Sequence, residues 1–189
     1  MTYDRRSIRL KEYDYTTAGY YYITICTHDH RCLFGNISNG KSSLNKFGQV
    51  VEAEWLRTSN IRKNAELDQY MVMPNHLHGI IILDGFGRGT EHRAPTIEEF
   101  GRPKSSSIPT IIRSFKATVT KQIDILRGTP AQPVWQRNYY EHIIRNEEEL
   151  YQISQYIINN PLKWQLDKEH PINWEIAKWL VRQFSTTKS

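Results

Sequence analysis

His76 and His78 flank Leu77 in the run Met73-Pro74-Asn75-His76-Leu77-His78-Gly79, which continues as Ile80-Ile81-Ile82-Leu83. In a β-strand, residues i and i+2 share a face, so the two imidazoles lie roughly 7 Å apart at their bases and can hold one divalent cation between them. Leu77 then points into a core. Tyr156 and Asn160 stand four residues apart in an amphipathic stretch whose apolar stripe is Leu150, Ile153 and Ile157, so a helix sets both on one side. A phenol with a pKa of about 10 is a poor nucleophile at neutral pH, and a nearby cation stabilises the phenolate and polarises a phosphate. A cation held by His76, His78 and the amide oxygen of Asn160 would let Tyr156 attack a phosphodiester. The products would be a phosphotyrosine and a free hydroxyl, with the bond energy kept for rejoining. No Gly-x-x-x-x-Gly-Lys-Ser/Thr nucleotide loop is present.

Each of these residues also has a purely structural reading. The histidines can be satisfied polar residues at a strand start, Tyr156 a core aromatic and Asn160 a helix-ending residue before Pro161. Tyr139, Tyr140 and Tyr151 are rival nucleophiles, but Tyr139 and Tyr140 have no amide one helical turn away. His142 and Gln152 are candidate supporting groups. His28-Asp29-His30 reads as a solvated strand end, because its middle residue is an acid that is costly to bury.

The elements that must position these groups follow from pattern. Residues 20–27 and 31–35 read as strands, 47–62 as a helix, and 67–73 and 76–83 as two strands joined by a Pro74-Asn75 turn. Residues 84–107, rich in Gly, Pro and Ser, read as a mobile loop or lid rather than a phosphate cradle. A long amphipathic helix is expected over 108–126 and a strand over 134–144. A third helix is capped by Asn146, with Glu149 completing a capping box, and runs to about Asn160. This order fits an α+β fold, a ferredoxin-like antiparallel sheet covered by helices, rather than alternating parallel α/β units. Residues 1–165 are expected to form one domain. The remaining 166–189, rich in Trp, is expected to pack on it as a helical extension.

Hydrophobic residues make up 39% and charged residues 24% of the 189, which argues against disorder. The formal charge of +5 makes a polyanion a plausible partner. Arg5, Arg6, Arg9 and Lys11, interleaved with tyrosines, form a basic arm suited to phosphates and unstacked bases. Arg113, Lys116, Arg137 and Arg145 are further candidates for DNA contact. Cys26 and Cys32 have no usual zinc spacing and are expected to be reduced thiols. No apolar run is long enough for a signal peptide or membrane span, so an intracellular, soluble protein is expected.

Met73 to Gly79 resembles the His-hydrophobic-His motif of HUH single-strand endonucleases. Trp135-Gln136-Arg137-Asn138-Tyr139-Tyr140-Glu141-His142-Ile143-Ile144-Arg145, followed by Tyr156-Ile157-Ile158-Asn159-Asn160-Pro161, resembles the REP-associated tyrosine transposases, and the resemblance covers roughly residues 8 to 165. It implies the HUH endonuclease fold, with Tyr156 as nucleophile and His76, His78 and Asn160 as metal ligands, Asn160 standing where related insertion-sequence transposases have Gln. It further implies Mg²⁺ or Mn²⁺ as cofactor, although two imidazoles would equally suit Zn²⁺. The implied substrate is single-stranded DNA at hairpin-forming palindromes, cleaved through a 5′-phosphotyrosine link, by a cytoplasmic, nucleoid-associated monomer or homodimer. Two other readings stay open: a replication-initiation or relaxase-type nuclease, and a non-catalytic single-stranded nucleic-acid-binding module.

Overall fold

Strand β1 (Gly19–Cys26) carries Tyr21, Ile23 and Ile25 on one face, all fully buried, and Tyr22, Thr24 and Cys26 on the other. This two-sided burial places it inside a four-stranded antiparallel sheet of order β4-β5-β1-β6, where β4 is Ala65–Val72, β5 is His76–Leu83 and β6 is Tyr140–Ile144. The computed structural model describes residues 13–84, 106–130 and 132–177. Arg5, Arg6, Arg9, Lys11, nearly all of the 84–107 loop, Trp179 and Leu180 lie outside the described residues.

Helices α1 (Lys46–Ile61) and α2 (Ile108–Arg127) cover one face of the sheet. Trp55 and Val51 from α1 and Ile111, Phe115, Val119 and Ile123 from α2 join Tyr21, Ile23, Leu77 and Ile81 in the larger of two apolar clusters. The α1 start is fixed by Asn45, whose side chain accepts hydrogen bonds from Phe47 N and Gly48 N. Gly128, with φ of 63°, ends α2 in a left-handed turn. Leaving aside a small hairpin, the order β1-α1-β4-β5-α2-β6 is the ferredoxin-like α+β arrangement. Helix α3 (Glu147–Asn159) adds a layer on the opposite face, where Ile157 packs with Ile80 and Ile144.

Several elements depart from the sequence expectation. Residues 31–34 form no strand; β2 (Gly35–Ser38) and β3 (Lys41–Leu44) form a separate hairpin around Asn39-Gly40, both with positive φ. That dipeptide is a strong turn signal, but the flanking strands are too polar to show a buried period. Of the strand expected over 134–144, Tyr140–Ile144 forms a ladder with β1, while Trp135 makes an isolated bridge to Thr27 and Gln136 N donates to Cys26 O. Val134 O accepts from His28 N, and the Lys116 ammonium donates to the carbonyls of Gln136, Arg137 and Asn138.

At α3, Asn146 accepts from Glu149 N at 2.8 Å, but Glu149 reaches Arg145 N, one residue before the cap. Pro161 does not end the helical path. It tightens it into a 3-10 helix, Asn160–Leu166, because proline suits the first turn of a new helical segment. Helical backbone resumes over 171–177. No helix among the described residues is long and apolar enough to cross a membrane.

Candidate active site

His76 and His78 open β5 on the face that carries α3, opposite Cys26 and Thr24 of β1. Both are fully buried, with ring centroids 4.4 Å apart, while Leu77 between them packs into the larger cluster. Asn75, also fully buried, decides which nitrogen of His76 is free. Its Nδ2 donates to His30 O at 2.9 Å and to Glu169 O at 2.6 Å, so its Oδ1 is the acceptor for His76 Nδ1–H at 2.8 Å. The proton therefore sits on Nδ1, and His76 Nε2 keeps a lone pair with no hydrogen-bond partner.

His78 Nδ1 lies 2.8 Å from the Tyr22 hydroxyl and 2.9 Å from Thr24 Oγ1. With either hydroxyl accepting from Nδ1, the lone pair of His78 is at Nε2. That nitrogen is 3.5 Å from the Tyr156 hydroxyl. Asn160, 1% exposed, closes the other side: its Nδ2 donates to Asp167 Oδ2 at 2.7 Å, and its Oδ1 is buried without a partner. The Asp167 carboxylate and the two imidazoles present ligand atoms within 4.8 Å of one another.

Two unpaired buried acceptors are costly unless something positive meets them. Together with the neighbouring His78 and Asp167, they form a donor set of nitrogen and oxygen that fits a divalent cation. Asp167 is a potential ligand that sequence pattern does not single out. It lies seven residues beyond Asn160 in an irregular segment, and its acid type is the only signal.

Electrostatics suit the same use. Burial pushes the His76 pKa down to about 4 and that of His78 well below its usual value, so both rings are neutral at pH 7, the form that can bind a cation. Burial, then the Asp167 and Glu169 carboxylates, push the Tyr156 phenol up to about 12. The phenol is thus protonated at pH 7, and a cation beside it would favour its ionisation.

Among the rival tyrosines, Tyr140 and Tyr151 are exposed, and no contact of either with the two imidazoles is seen. Tyr22 does touch His78, but at Nδ1, on the side away from the free lone pair. Tyr156 combines contact at Nε2 with 39% exposure, so an incoming strand can reach it.

Other sequence candidates lie elsewhere. His142 Nε2 is bonded to Glu149 Oε1 at 2.6 Å and Gln152 donates to Glu148, so each is spent on α3 and its cap. Arg113 is exposed on α2, in the layer opposite the histidines. Lys116 offers no free surface charge: it is turned into the three carbonyls of 136–138, and burial pushes its pKa down to about 8. Arg137 and Arg145 are exposed. His30 is not solvated as its acidic neighbour suggests. It is 4% exposed, because left-handed φ values of 54° and 52° at Asp29 and His30 turn the ring inward and leave Asp29 outside.

Two outcomes follow. Asn75→Ala is expected to weaken divalent-cation binding about 10- to 100-fold, measured by calorimetry on folded protein, because it frees the His76 ring to rotate and change tautomer. In metal-stripped protein, the folded pKa of His76 near 4 lies below its unfolded value of about 6.5. The unfolded chain then binds the extra proton between these values, so stability is full above about pH 6.5 and falls as pH drops toward 4. Urea midpoints at pH 7, 5.5 and 4.5 should decline in that order; a flat series contradicts the assignment.

The fold has a counterpart among solved structures. A structure of a REP-associated tyrosine transposase bound to a REP hairpin matches with a TM-score of 0.55, covering 88% of this chain and 77% of that one at 18% identity. The chain therefore shares the fold of that transposase, a ferredoxin-like antiparallel sheet covered by helices. No family model matches the sequence. Over 169 residues the chain is 42% identical to an uncharacterized protein of Haemophilus influenzae, covering 87% of this chain and 92% of that protein, and it belongs to that protein's family.

Proposed function

We propose that this protein is a divalent-metal-dependent transposase or endonuclease that cleaves and rejoins single-stranded DNA at hairpin-forming palindromes. The observation that carries this reading is the Tyr156 hydroxyl 3.5 Å from His78 Nε2 within one chain, beside the unpaired His76 Nε2 and Asn160 Oδ1. His76, His78 and Asn160 would hold the cation, with Asp167 close enough to join them. Mg²⁺ or Mn²⁺ bound there would polarise a phosphate oxygen and lower the phenol pKa.

The chain's own residues do the rest. Asn75 fixes the His76 tautomer, and Tyr22 with Thr24 orients His78. Tyr156 gives up its proton to solvent and its oxygen bonds to phosphorus; the phosphorus–O3′ bond breaks, and the departing 3′ oxygen takes up a proton from solvent to become a hydroxyl. The 5′-phosphate stays on Tyr156, and attack by a 3′-hydroxyl reverses the step. The net charge of +5 favours a DNA partner, which would place the protein with the nucleoid in the cytoplasm. The exposed Arg137 and Arg145, with the basic arm of Arg5, Arg6, Arg9 and Lys11, would contact the phosphates.

The test is incubation of the full chain with hairpin-bearing single-stranded oligonucleotides and Mg²⁺ or Mn²⁺. A detergent-stable DNA adduct and a fragment ending in a 3′-hydroxyl are expected, both suppressed by chelator. Absence of adduct and cleavage across palindromes from the source genome would overturn the reading.

A further inference from the structure

A second donor cluster adjoins the first and has no part in the chemistry above. Cys26 at the end of β1, His30 in the 3-10 turn His28–His30, and Glu169 beyond the 3-10 helix that follows α3 bring Sγ, an imidazole nitrogen and a carboxylate oxygen within 4.8 Å of one another. Cys26 Sγ–H donates to Glu169 Oε2 at 3.4 Å, and His30 Nδ1 lies 3.1 Å from the same oxygen. That nitrogen is out of line for a hydrogen bond and has no other partner, although His30 is 96% removed from solvent. The 3.1 Å approach to Glu169 is an ion pair only when the ring is protonated; otherwise a buried nitrogen lies beside a thiol and a carboxylate with no hydrogen bond, which packing alone does not explain. The ring is held there by the Trp174 indole, with centroids 4.4 Å apart, and by the left-handed backbone at Asp29 and His30.

We propose that Cys26, His30 and Glu169 form a second cation site, one that takes a thiolate-binding divalent ion of the Zn²⁺ class. Sulfur, nitrogen and oxygen donors from three separate segments match Zn²⁺ rather than Mg²⁺, which prefers oxygen and its own waters. Three protein donors leave a fourth position for water. The Gln136 amide nitrogen lies 2.6 Å from His30 Nε2 and donates to it. A loaded site would need this amide turned over, so that its oxygen accepts Nε2–H and the Nδ1 lone pair faces the cluster, the usual way a ligating histidine is held. Loading converts the Cys26 thiol to thiolate and releases its proton to solvent. Without a cation the thiol stays protonated, since burial and the Glu169 carboxylate push its pKa far up.

The ion would tie the segment after Asn160 to β1 and to the turn before β2. Glu169 O already accepts from Asn75, so the clamp would bear on the residue that orients His76. The site stands whether or not Tyr156 attacks DNA.

Cobalt(II) reports the ligand set directly. Titrating the full chain with Co²⁺ is expected to give a near-ultraviolet thiolate-to-cobalt charge-transfer band that saturates and is displaced by Zn²⁺. The band should vanish in Cys26→Ser and persist in Cys32→Ser and in His76→Ala. Glu169→Gln keeps the side-chain shape and should weaken Co²⁺ binding about tenfold or more. Circular dichroism checks that the variants remain folded. No charge-transfer band in the wild type, a band lost in Cys32→Ser, or an unchanged affinity in folded Glu169→Gln would each overturn the proposal.

Discussion

On the function proposed above, Tyr156→Phe is expected to abolish covalent attachment to a hairpin oligonucleotide and to slow strand cleavage by about 10,000-fold or more, as removal of the nucleophile does in covalent enzymes. The substitution deletes one hydroxyl and leaves the ring. That ring is 39% exposed and packs edge-on to His78 and Tyr22, with centroids at 5.3 and 6.5 Å, and these contacts survive in phenylalanine. The melting temperature should therefore stay within a few degrees of the wild type. Loss of activity with retained fold separates a chemical role from a structural one. An adduct that forms at the wild-type rate in Tyr156→Phe would move the nucleophile elsewhere, and peptide mapping of the attached residue would identify it.

Gly79→Ala is expected to destabilise the protein by about 3 kcal/mol, the upper end for overpacking a core with one methyl group. Gly79 follows His78 but faces the other layer. A Cβ there would lie 2.3 Å from Trp55 Cζ2 and 2.9 Å from Cε2, and the fully buried indole is itself wedged edge-on against Phe115 at 5.5 Å. The indole cannot yield without moving α1 off the sheet. Trp55→Phe removes the clashing ring, so in the Gly79→Ala background it should cost far less than alone or even restore stability. Urea denaturation of the four proteins in this cycle measures that coupling; additive effects would show that Gly79 is not kept small by Trp55.

Much of this architecture is legible in residue types. The aromatic and β-branched run of β1, the Ile-rich β5, the apolar stripe of α2 and the Asn146 cap of α3 all agree with local pattern. The same patterns place two imidazoles on one strand face and Tyr156 with Asn160 on one helix. What escapes is set by tertiary contacts. Asn75 looks like a turn residue, yet its amide is internal and joins three chain segments. Asp167 and Glu169 come from backbone with no period to read. His30 is masked by Asp29, since only a left-handed turn allows one to be buried and the other exposed. Lys116 shows a charge at a helical position, but no pattern reveals that the 136–138 carbonyls await it.

The two faces of the sheet are packed unequally. β5 and its neighbours are anchored by the large cluster that includes Trp55, Phe115 and Trp135, whereas α3 is anchored, among the described residues, by Ile157 against Ile80 and Ile144 with Leu150 and Ile153 at the margin. Local opening follows such differences, so the opening free energy of α3 should lie below that of the strands. The phenol therefore rides on the part of the molecule that fluctuates first, and the imidazoles on the part that fluctuates last. The nucleophile proposed above would swing with this arm and take Asn160 with it, while the two imidazoles beneath hold still.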